Sequence, residues 1–217
     1  IDVLNSLGYG LHLVYAESGR SFLSKGFLKQ AKACANNSLS VFKPYLEREL
    51  PIVGLEPSGI LSFRDEYPRL LSDPLVETLK KRSFLIEEFL LNELKSEKIS
   101  LNRFTDRKRK VKVHVHCHQK AHSSQKITFD LLNAFPFYEV TLMATGCCGM
   151  AGSFGYEKEH YDLSMKIGGL KLFKAVNTAD EETLIVANGT SCRHQIKDGT
   201  QKKALHPIEV LATALKT

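Results

Sequence analysis

The two halves of the chain repeat one pattern, and this repeat constrains the fold more than any other feature of the sequence. The segment DVLNSLGYGLHLVYAESG near the start corresponds to DLLNAFPFYEVTLMATGCCG in the second half. Leu4 corresponds to Leu132, and Gly19 to Gly149. Further along, PIVGLEPSG corresponds to TLIVANGTSC. Such self-similarity indicates two copies of one structural unit.

Hydrophobic periodicity in the second copy predicts strands that alternate with helices. The β-branched runs VKVHVHC, YEVTLMA and TLIVAN are typical of buried strands. QKITFDLLNAF, EHYDLSMKIGGLKLFKAV and HPIEVLATAL have helical spacing, the last with Pro207 near its first turn. Strands joined by helices form a parallel sheet with right-handed crossovers. We therefore predict an α/β fold of two pseudo-symmetric flavodoxin-like or Rossmann-like repeats with parallel sheets.

The repeat divides the chain into three regions. Residues 1–72 are the remainder of the first repeat, residues 73–110 a helical connector and residues 111–217 the second repeat. The connector includes DPLVETLKKRSFLIEEFLLNELKSEKI, whose spacing predicts one or two amphipathic helices. The first repeat is incomplete at its N-terminus, because its opening strand would precede Ile1. We therefore expect the sequence to be a part of a longer chain.

Composition excludes several classes of protein. With 43% hydrophobic and 25% charged residues, the chain is neither disordered nor collagen-like. No run approaches the roughly 20 apolar residues that span a bilayer, and the start lacks a signal-peptide pattern. The expected location is the cytoplasm, either free or peripheral at the inner face of the membrane. The net charge is +6, but no aromatic residues interleave the basic run at 107–112, so no nucleic acid partner is predicted.

Four of the five cysteines follow predicted strands of the second copy. Cys117 ends the first strand, Cys147 and Cys148 follow the second, and Cys192 follows the third. Because the carboxyl ends of parallel strands meet at one edge of the sheet, these thiols are predicted to converge. Four thiolates at such an edge are what an iron–sulfur cluster needs. The fifth cysteine, Cys34, lies in a helical stretch and is predicted to have no such role.

Residues beside these cysteines have supporting roles in this interpretation. His116 and His118 flank Cys117 and are predicted to hydrogen-bond cluster sulfurs. Lys120 and Arg193 are predicted to offset the negative charge of the thiolates. Gly149 is predicted to let the loop bend, because glycine readily adopts positive φ.

Zinc is the lesser alternative as cofactor. His114 and His116 share one face of the first strand, and imidazole and thiolate are both zinc ligands. The C-x₂-C spacing of zinc sites is absent, however. A redox-active pair of Cys147 and Cys148 is a further alternative.

The pattern of a cysteine, then CCG, then SC resembles the cysteine-rich CCG domain. That domain occurs in the cysteine-rich subunit of heterodisulfide reductase, in one subunit of the anaerobic glycerol-3-phosphate dehydrogenase and in the iron–sulfur subunit of glycolate oxidase. HCHQKA, GCCGMAGSFGYEKEHYDLSMKIG, GTSCRHQI and LHPIEVL are similar to the C-terminal region of fused FAD-linked oxidase and iron–sulfur oxidoreductases. GLEPSG and FRDEYPRLL match the first copy of that branch, so the resemblance covers nearly the whole chain.

The resemblance implies the electron-transfer region of a FAD-linked 2-hydroxy-acid dehydrogenase or oxidase, of the D-lactate, glycolate or 2-hydroxyglutarate class. The four cysteines of the second copy would bind a 4Fe-4S cluster that passes electrons from flavin to a respiratory acceptor, such as a quinone. The implied partners are FAD-binding and ferredoxin-like domains of the same longer chain or complex. The region itself would contain no catalytic residue and would lack dehydrogenase activity alone.

The sequence departs from the family pattern in both copies. In the first copy, Glu17, Ser18 and Gly19 replace CCG and Gly59 replaces a further cysteine, so no cluster is predicted there. In the second copy, Gln195 stands where heterodisulfide reductase has the second cysteine of a C-x₂-C motif. The functional alternatives are a heterodisulfide-reductase-like thiol/disulfide enzyme and a zinc-bound or metal-free docking module.

Overall fold

A computed structural model describes residues 1–216 of the chain. Its α-helices within that range are α1 (Asp2–Ser6), α2 (Arg20–Ser24), α3 (Leu28–Leu46), α4 (Pro57–Ile60), α5 (Glu66–Leu70), α6 (Leu75–Arg82), α7 (Ile86–Lys95), α8 (Cys117–His122), α9 (Lys126–Asn133), α10 (Tyr161–Asn177), α11 (Thr190–Thr200) and α12 (Pro207–Ala212). The strands are β1 (Ile52–Gly54), β2 (Ser83–Leu85), β3 (Arg109–His114), β4 (Tyr138–Leu142), β5 (Leu184–Ala187) and β6 (Ala204–Leu205). Short 3-10 helices cover Leu61–Phe63, Leu101–Arg103 and Phe154–Tyr156.

Two compact units make up the chain. The smaller unit is His12–Ile86, and the larger combines Ile1–Leu11 with the chain from Glu87 onward. The boundaries of these two units reflect the contacts within each unit. The boundaries predicted from sequence, after residues 72 and 110, instead reflect the repeated pattern. The three repeat-based regions therefore remain a prediction.

The smaller unit is built on a two-stranded parallel sheet. Strand β1 pairs with β2, with Val53 opposite Phe84. Strand β2 lies between helices α6 and α7 and interrupts the stretch for which sequence spacing predicts helices alone. The core beneath the sheet consists of large apolar side chains from α3, the 3-10 turn at 61–63, α5 and α6, among them Leu39, Phe42, Leu61, Phe63, Tyr67 and Leu79.

The larger unit is built on a four-stranded sheet in the order β4-β3-β5-β6, and every pairing in it is parallel. Central strand β3 buries Val111 and Val113, as its β-branched sequence predicts. The prediction of an α/β fold with parallel sheets is therefore confirmed. Sequence periodicity does not predict strand β6, because two residues are too few for a periodic pattern.

The carboxyl ends of β3, β4 and β5 lie at the same edge of this sheet. The predicted strand over VKVHVHC is wrong at its end, since β3 stops at His114 and Cys117 instead begins α8. His116 caps that helix, because its Nδ1 accepts a hydrogen bond from the backbone N–H of His118 at 3.1 Å. Beyond β5, helix α11 begins at Thr190, so Cys192 lies in its first turn.

The turn that carries CCG has a counterpart in the first copy. Gly149 has φ +99° and Gly19 has φ +72°. Each glycine lies against the backbone of the following long helix, at Ser164 of α10 and at Ala31 of α3. Positive φ and the lack of a side chain are thus shared by the two equivalent turns.

The helices lack the properties of membrane-spanning segments. Within residues 1–216, no helix combines the length and the apolar character needed to cross a bilayer. Helix α3, for example, has 19 residues but carries Lys29, Lys32 and Lys43 along its length.

Candidate functional site

Four cysteines gather at the carboxyl edge of the four-stranded sheet. Cys117 is the first residue of α8, and Cys147 and Cys148 lie on the loop after β4. Cys192 is the third residue of α11. Cys117 is exposed and Cys147 half-buried, whereas Cys148 and Cys192 are 3% and 1% exposed. The group therefore extends from the surface into the interior of the larger unit.

The four thiols lie near enough to shift one another's pKa in a continuous series. Cys117 acts on Cys147, Cys147 on Cys148, and Cys148 on Cys192. The structure thus brings together the four cysteines that the strand pattern predicts to converge. We call these four side chains the thiol group.

Hydrogen bonds within the thiol group separate the pKa values of its members. The pKa of Cys147 is lowered first by the thiol of Cys117 and then by that of Cys148. The pKa of Cys192 is lowered by Cys148, and further by His114. Cys148 has a single S–H, so it donates to one of these two sulfurs at a time. The pKa values of the two donors are raised, since deprotonation of Cys117 or Cys148 would break these bonds. Thiolates are therefore favoured at Cys147 and Cys192.

Backbone N–H groups of the surrounding turns also point at the sulfurs. The N–H of Gly149 donates to Sγ of Cys147 at 3.3 Å. The backbone N–H groups of His118 and Met150 also act to lower the pKa of Cys117 and Cys148, respectively. Such N–H groups stabilise negative charge on sulfur.

Sequence analysis names His114 only in the zinc alternative, and the structure places it beside Cys192 of the thiol group. Its ring is 1% exposed, and Nδ1 lies 2.7 Å from Oγ1 of Thr145. The nearby imidazole lowers the pKa of Cys192. The alternation of VKVHVHC is the signal that points to this residue, because it places His114 and His116 on one strand face.

The two flanking histidines occupy different environments. His116 is buried, and its electrostatic influence lowers the pKa of Cys147 and Cys192. The ring of His118 instead lies beside other imidazoles, 6.2 Å from the ring of His116 and 4.9 Å from that of His122, centroid to centroid. The predicted hydrogen bonds of these rings to cluster sulfurs remain a prediction.

Lys120 and Arg193 bind backbone carbonyls of the loops that carry the cysteines. Nζ of Lys120 donates to the carbonyl oxygen of Thr145 at 2.6 Å, two residues before Cys147. Nη1 of Arg193 donates to the carbonyl oxygens of Ala187 and Asn188 at 3.0 and 2.9 Å. Each cation therefore fixes one turn beside the thiol group. Their predicted role in offsetting thiolate charge remains a prediction.

Helix α10 supports the CCG loop through close backbone contacts. A Cβ atom at Gly149 would overlap the carbonyl oxygen of Ser164, and a Cβ at Gly168 would lie 2.8 Å from the carbonyl oxygen of Cys148. Nε2 of Gln195 donates to O and Oγ of Ser164 at 3.0 and 2.8 Å. Sequence analysis does not find Ser164 or Gly168, because their role depends on packing between distant segments.

The donor set fits an iron–sulfur cluster in its chemistry. It supplies four sulfurs, two of which favour the thiolate form, together with backbone N–H groups and a buried interior. Within residues 1–216, however, no group of three or more His, Cys, Asp or Glu side chains has the arrangement to hold a metal ion.

The equivalent turn of the first copy has different chemistry. The backbone carbonyl of Glu17 accepts a hydrogen bond from Oγ of Ser38 at 2.8 Å. Burial, and then the charge and the hydrogen bond of the Glu17 side chain, raise the pKa of Cys34. A Cβ atom at Gly59 would meet open space. The first copy thus has a carboxylate beside a protonated thiol where the second has its thiol group.

Fold and site together define a parallel α/β unit with a cysteine group at the carboxyl edge of its sheet. No protein-family model matches the chain. The chain is 30% identical over 219 residues to a subunit of the anaerobic glycerol-3-phosphate dehydrogenase of Escherichia coli, an alignment that covers 99% of this chain and 54% of that protein. It is 29% identical over 213 residues to D-2-hydroxyglutarate dehydrogenase of Haemophilus influenzae, an alignment that covers 94% of this chain and 20% of that enzyme. The chain is 27% identical over 213 residues to the D-2-hydroxyglutarate dehydrogenase of Pseudomonas putida, an alignment that covers 97% of this chain and 20% of that enzyme.

The chain therefore spans about half the length of the first relative and about a fifth of the other two. The predicted resemblance to a subunit of anaerobic glycerol-3-phosphate dehydrogenase is confirmed at the level of sequence similarity. The chain is similar to regions of two kinds of dehydrogenase.

Proposed function

We propose that the chain is the electron-transfer region of a FAD-linked 2-hydroxy-acid dehydrogenase and belongs to the cysteine-rich CCG family. Its thiol group, Cys117, Cys147, Cys148 and Cys192, would bind a 4Fe-4S cluster. The position of all four thiols at one sheet edge, where they shift one another's pKa, is the observation that carries this proposal. Four cysteine thiolates are the usual ligand set of such a cluster.

When bound, the cluster would supply reversible one-electron transfer. The residues of the chain perform the remaining tasks. Burial of Cys148 and Cys192 excludes water from the inner side, and the N–H of Gly149 stabilises negative charge on Cys147. Lys120 and Arg193 hold the two loops in position through backbone carbonyls.

Exposure of Cys117 suggests where electrons cross the surface. It is the exposed member of the thiol group, while its partner sulfurs lie progressively deeper. A redox partner that docks over the start of α8 would approach the thiol group with little intervening protein. We propose this side as the route for electrons in or out.

The relatives support the substrate class and the partners. Two are D-2-hydroxyglutarate dehydrogenases, enzymes named for a 2-hydroxy acid, and one is part of a dehydrogenase of several subunits. On this basis we propose FAD-binding and ferredoxin-like partner domains, with a quinone or another respiratory acceptor. The proposed location is the cytoplasm or the inner face of the membrane.

Anaerobic reduction of the purified chain tests this function. With the cluster bound, we expect broad visible absorption that bleaches on addition of one electron and returns when a water-soluble quinone is added. Cys148→Ser should abolish the absorption, because a hydroxyl is a poor ligand for iron. Cys34→Ser is the matched control and should retain it, because Cys34 lies outside the thiol group. A colourless wild-type chain with one bound zinc would contradict the proposal.

A further inference from the structure

Three buried polar side chains form hydrogen bonds between α8, α9 and the turn after β5. We call them the amide network: Gln119, Thr128 and Asn188, which are 0%, 1% and 1% exposed. Nδ2 of Asn188 donates to Oε1 of Gln119. Nε2 of Gln119 donates to Oγ1 of Thr128 at 3.2 Å and to the carbonyl oxygen of Ser124 at 3.0 Å. Burial of an amide costs free energy unless its polar atoms are hydrogen-bonded, so the fold depends on these bonds.

Asn188 continues the pairing of β3 and β5 beyond the ends of the two strands. The last paired residues are His114 and Ala187. Beyond them β3 leads into α8 and β5 leads into α11, and Oδ1 of Asn188 accepts a hydrogen bond from the backbone N–H of His116 at 3.3 Å. The Asn188 side chain thus takes the place of a strand carbonyl where the sheet ends.

Gly189 brings the turn after β5 directly against the start of α8. A Cβ atom at Gly189 would lie 2.3 Å from Cδ2 of His116. The φ of Gly189 is −81°, which any residue can adopt, so close packing and not backbone conformation requires glycine here. The turn therefore packs on the residue that precedes Cys117.

The contacts of Asn188 lie on both sides of one cysteine and close to another. Cys117 lies between His116 and Gln119 in the sequence. Both of these residues are hydrogen-bonded to Asn188, which is four residues before Cys192. Cys117 is exposed and Cys192 buried, so packing restrains Cys117 less. Hydrogen bonds are directional and can supply the missing restraint.

We propose that Asn188 and Gln119 are positioning residues that hold Cys117 where it can serve as a ligand together with Cys192, a role that rests on the proposed function. They act through the backbone on either side of Cys117 and not as ligands. Without their bond, the start of α8 would shift against the turn after β5. Cys117, as the exposed ligand, would then hold iron less firmly.

Hydrogen exchange in the reduced, metal-free chain tests the restraint itself. Asn188→Ala removes the acceptor of the His116 N–H. Exchange of this amide, followed by NMR, should therefore be about fivefold faster, the factor expected from loss of one hydrogen bond. Gln119→Ala should act in the same direction, because Asn188 then loses its own partner. Gln125→Ala is the matched control and should leave the rate unchanged, because Gln125 is an exposed amide at the start of α9.

Iron release tests the link to Cys117. Each variant is reconstituted anaerobically with iron and sulfide, and the transfer of iron to a chelator is timed. Asn188→Ala and Gln119→Ala should each release iron about fivefold faster than wild type. The double variant should show less than the product of the two effects, because both changes remove the same bond. The visible circular dichroism of the bound cluster should also change, since it depends on the torsion angles of the ligating cysteines.

Thr128 provides a milder pair of variants in case Asn188→Ala does not fold. Thr128→Val removes the hydroxyl that binds Gln119 at nearly constant volume, whereas Thr128→Ser keeps a hydroxyl. We expect faster exchange at His116 and faster iron release with valine, and wild-type behaviour with serine.

Three results would overturn the proposal: unchanged exchange at His116 in Asn188→Ala, equally accelerated exchange along the whole of β3, or faster exchange at His116 with iron release at the wild-type rate. A wild-type chain that binds no iron would overturn the proposed function and this role with it. That failure is recognised from the iron count of wild type alone, because the exchange measurement needs no metal.

Discussion

Gly149 is the residue on which the shape of the CCG loop depends most. Its φ of +99° lies in a region that side chains disfavour, and a Cβ atom there would overlap the carbonyl oxygen of Ser164. Its N–H also donates to Cys147 at 3.3 Å. The backbone conformation of the loop, its packing against α10 and its hydrogen bond to Cys147 therefore all depend on Gly149.

A matched pair of glycine substitutions separates conformation from packing. Gly152, in the same loop, has φ +70°, but a Cβ there would meet open space. Gly152→Ala should cost about 1 kcal/mol of unfolding free energy, from the unfavourable φ alone. Gly149→Ala should cost about 3 kcal/mol or more, because α10 must move as well. Urea unfolding measures both values, and equal losses would show that the contact with Ser164 is unimportant.

At the scale of elements, the short segment Ile1–Leu11 joins a unit whose other residues begin at Glu87. Its attachment includes Tyr9, whose hydroxyl donates to Oε2 of Glu93 on α7 at 2.6 Å and whose ring packs edge-on against Phe89. Burial alone would raise the pKa of Glu93, but hydrogen bonds from Tyr9 and Lys98 outweigh it, so the pKa is lowered. The bond thus favours the ionised carboxylate.

This attachment should depend on pH in a defined direction. The pKa of the Glu93 carboxyl group is lower in the folded chain than in the unfolded chain, so the ionised group stabilises the fold at pH values above the unfolded pKa. This stabilisation is lost as the pH falls through the folded-state pKa. Tyr9→Phe should therefore lower the free energy of unfolding by about 1 kcal/mol at pH 7. This figure allows for the solvent that weakens the partly exposed hydrogen bond between Tyr9 and Glu93. The difference from wild type should shrink toward zero near pH 3.

Chemical denaturation at several pH values measures this difference. Tyr15→Phe is the control, because Tyr15 is 91% exposed and the change should leave stability within about 0.5 kcal/mol at either pH. A Tyr9→Phe effect of the same size at pH 3 and pH 7 would contradict the assigned role of the Glu93 carboxylate.

The elements with a clear apolar pattern could be predicted from sequence, and those without one could not. Runs such as VKVHV and TLIVA are β-branched and buried, so strands β3 and β5 are evident in the sequence. Helix α8 has six residues and α11 has the polar sequence TSCRHQIKDGT, and neither contains a clear periodic apolar face. Strand β2 has only three residues and lies within a region of helical spacing, so the local sequence pattern does not predict it.

At the scale of the whole molecule, some features of the site could be predicted from sequence and others could not. Convergence of the four cysteines follows from parallel strand topology, which sequence pattern reveals. The mutual influence of the four thiols and the positions of His114, Ser164 and Gln195 depend on how loops pack against α10 and α11. Such packing is set by contacts between segments far apart in the chain, and no single stretch of sequence encodes it.

Iron and acid-labile sulfide counts per chain, across the set of single cysteine variants, test the central claim most directly. Anaerobically reconstituted wild type and Cys34→Ser should each contain about four irons and four sulfides. The changes Cys117→Ser, Cys147→Ser, Cys148→Ser and Cys192→Ser should each lower both counts substantially, because the four thiols act as one ligand set. Full iron in any of these four variants, or zinc in place of iron in wild type, would contradict the account.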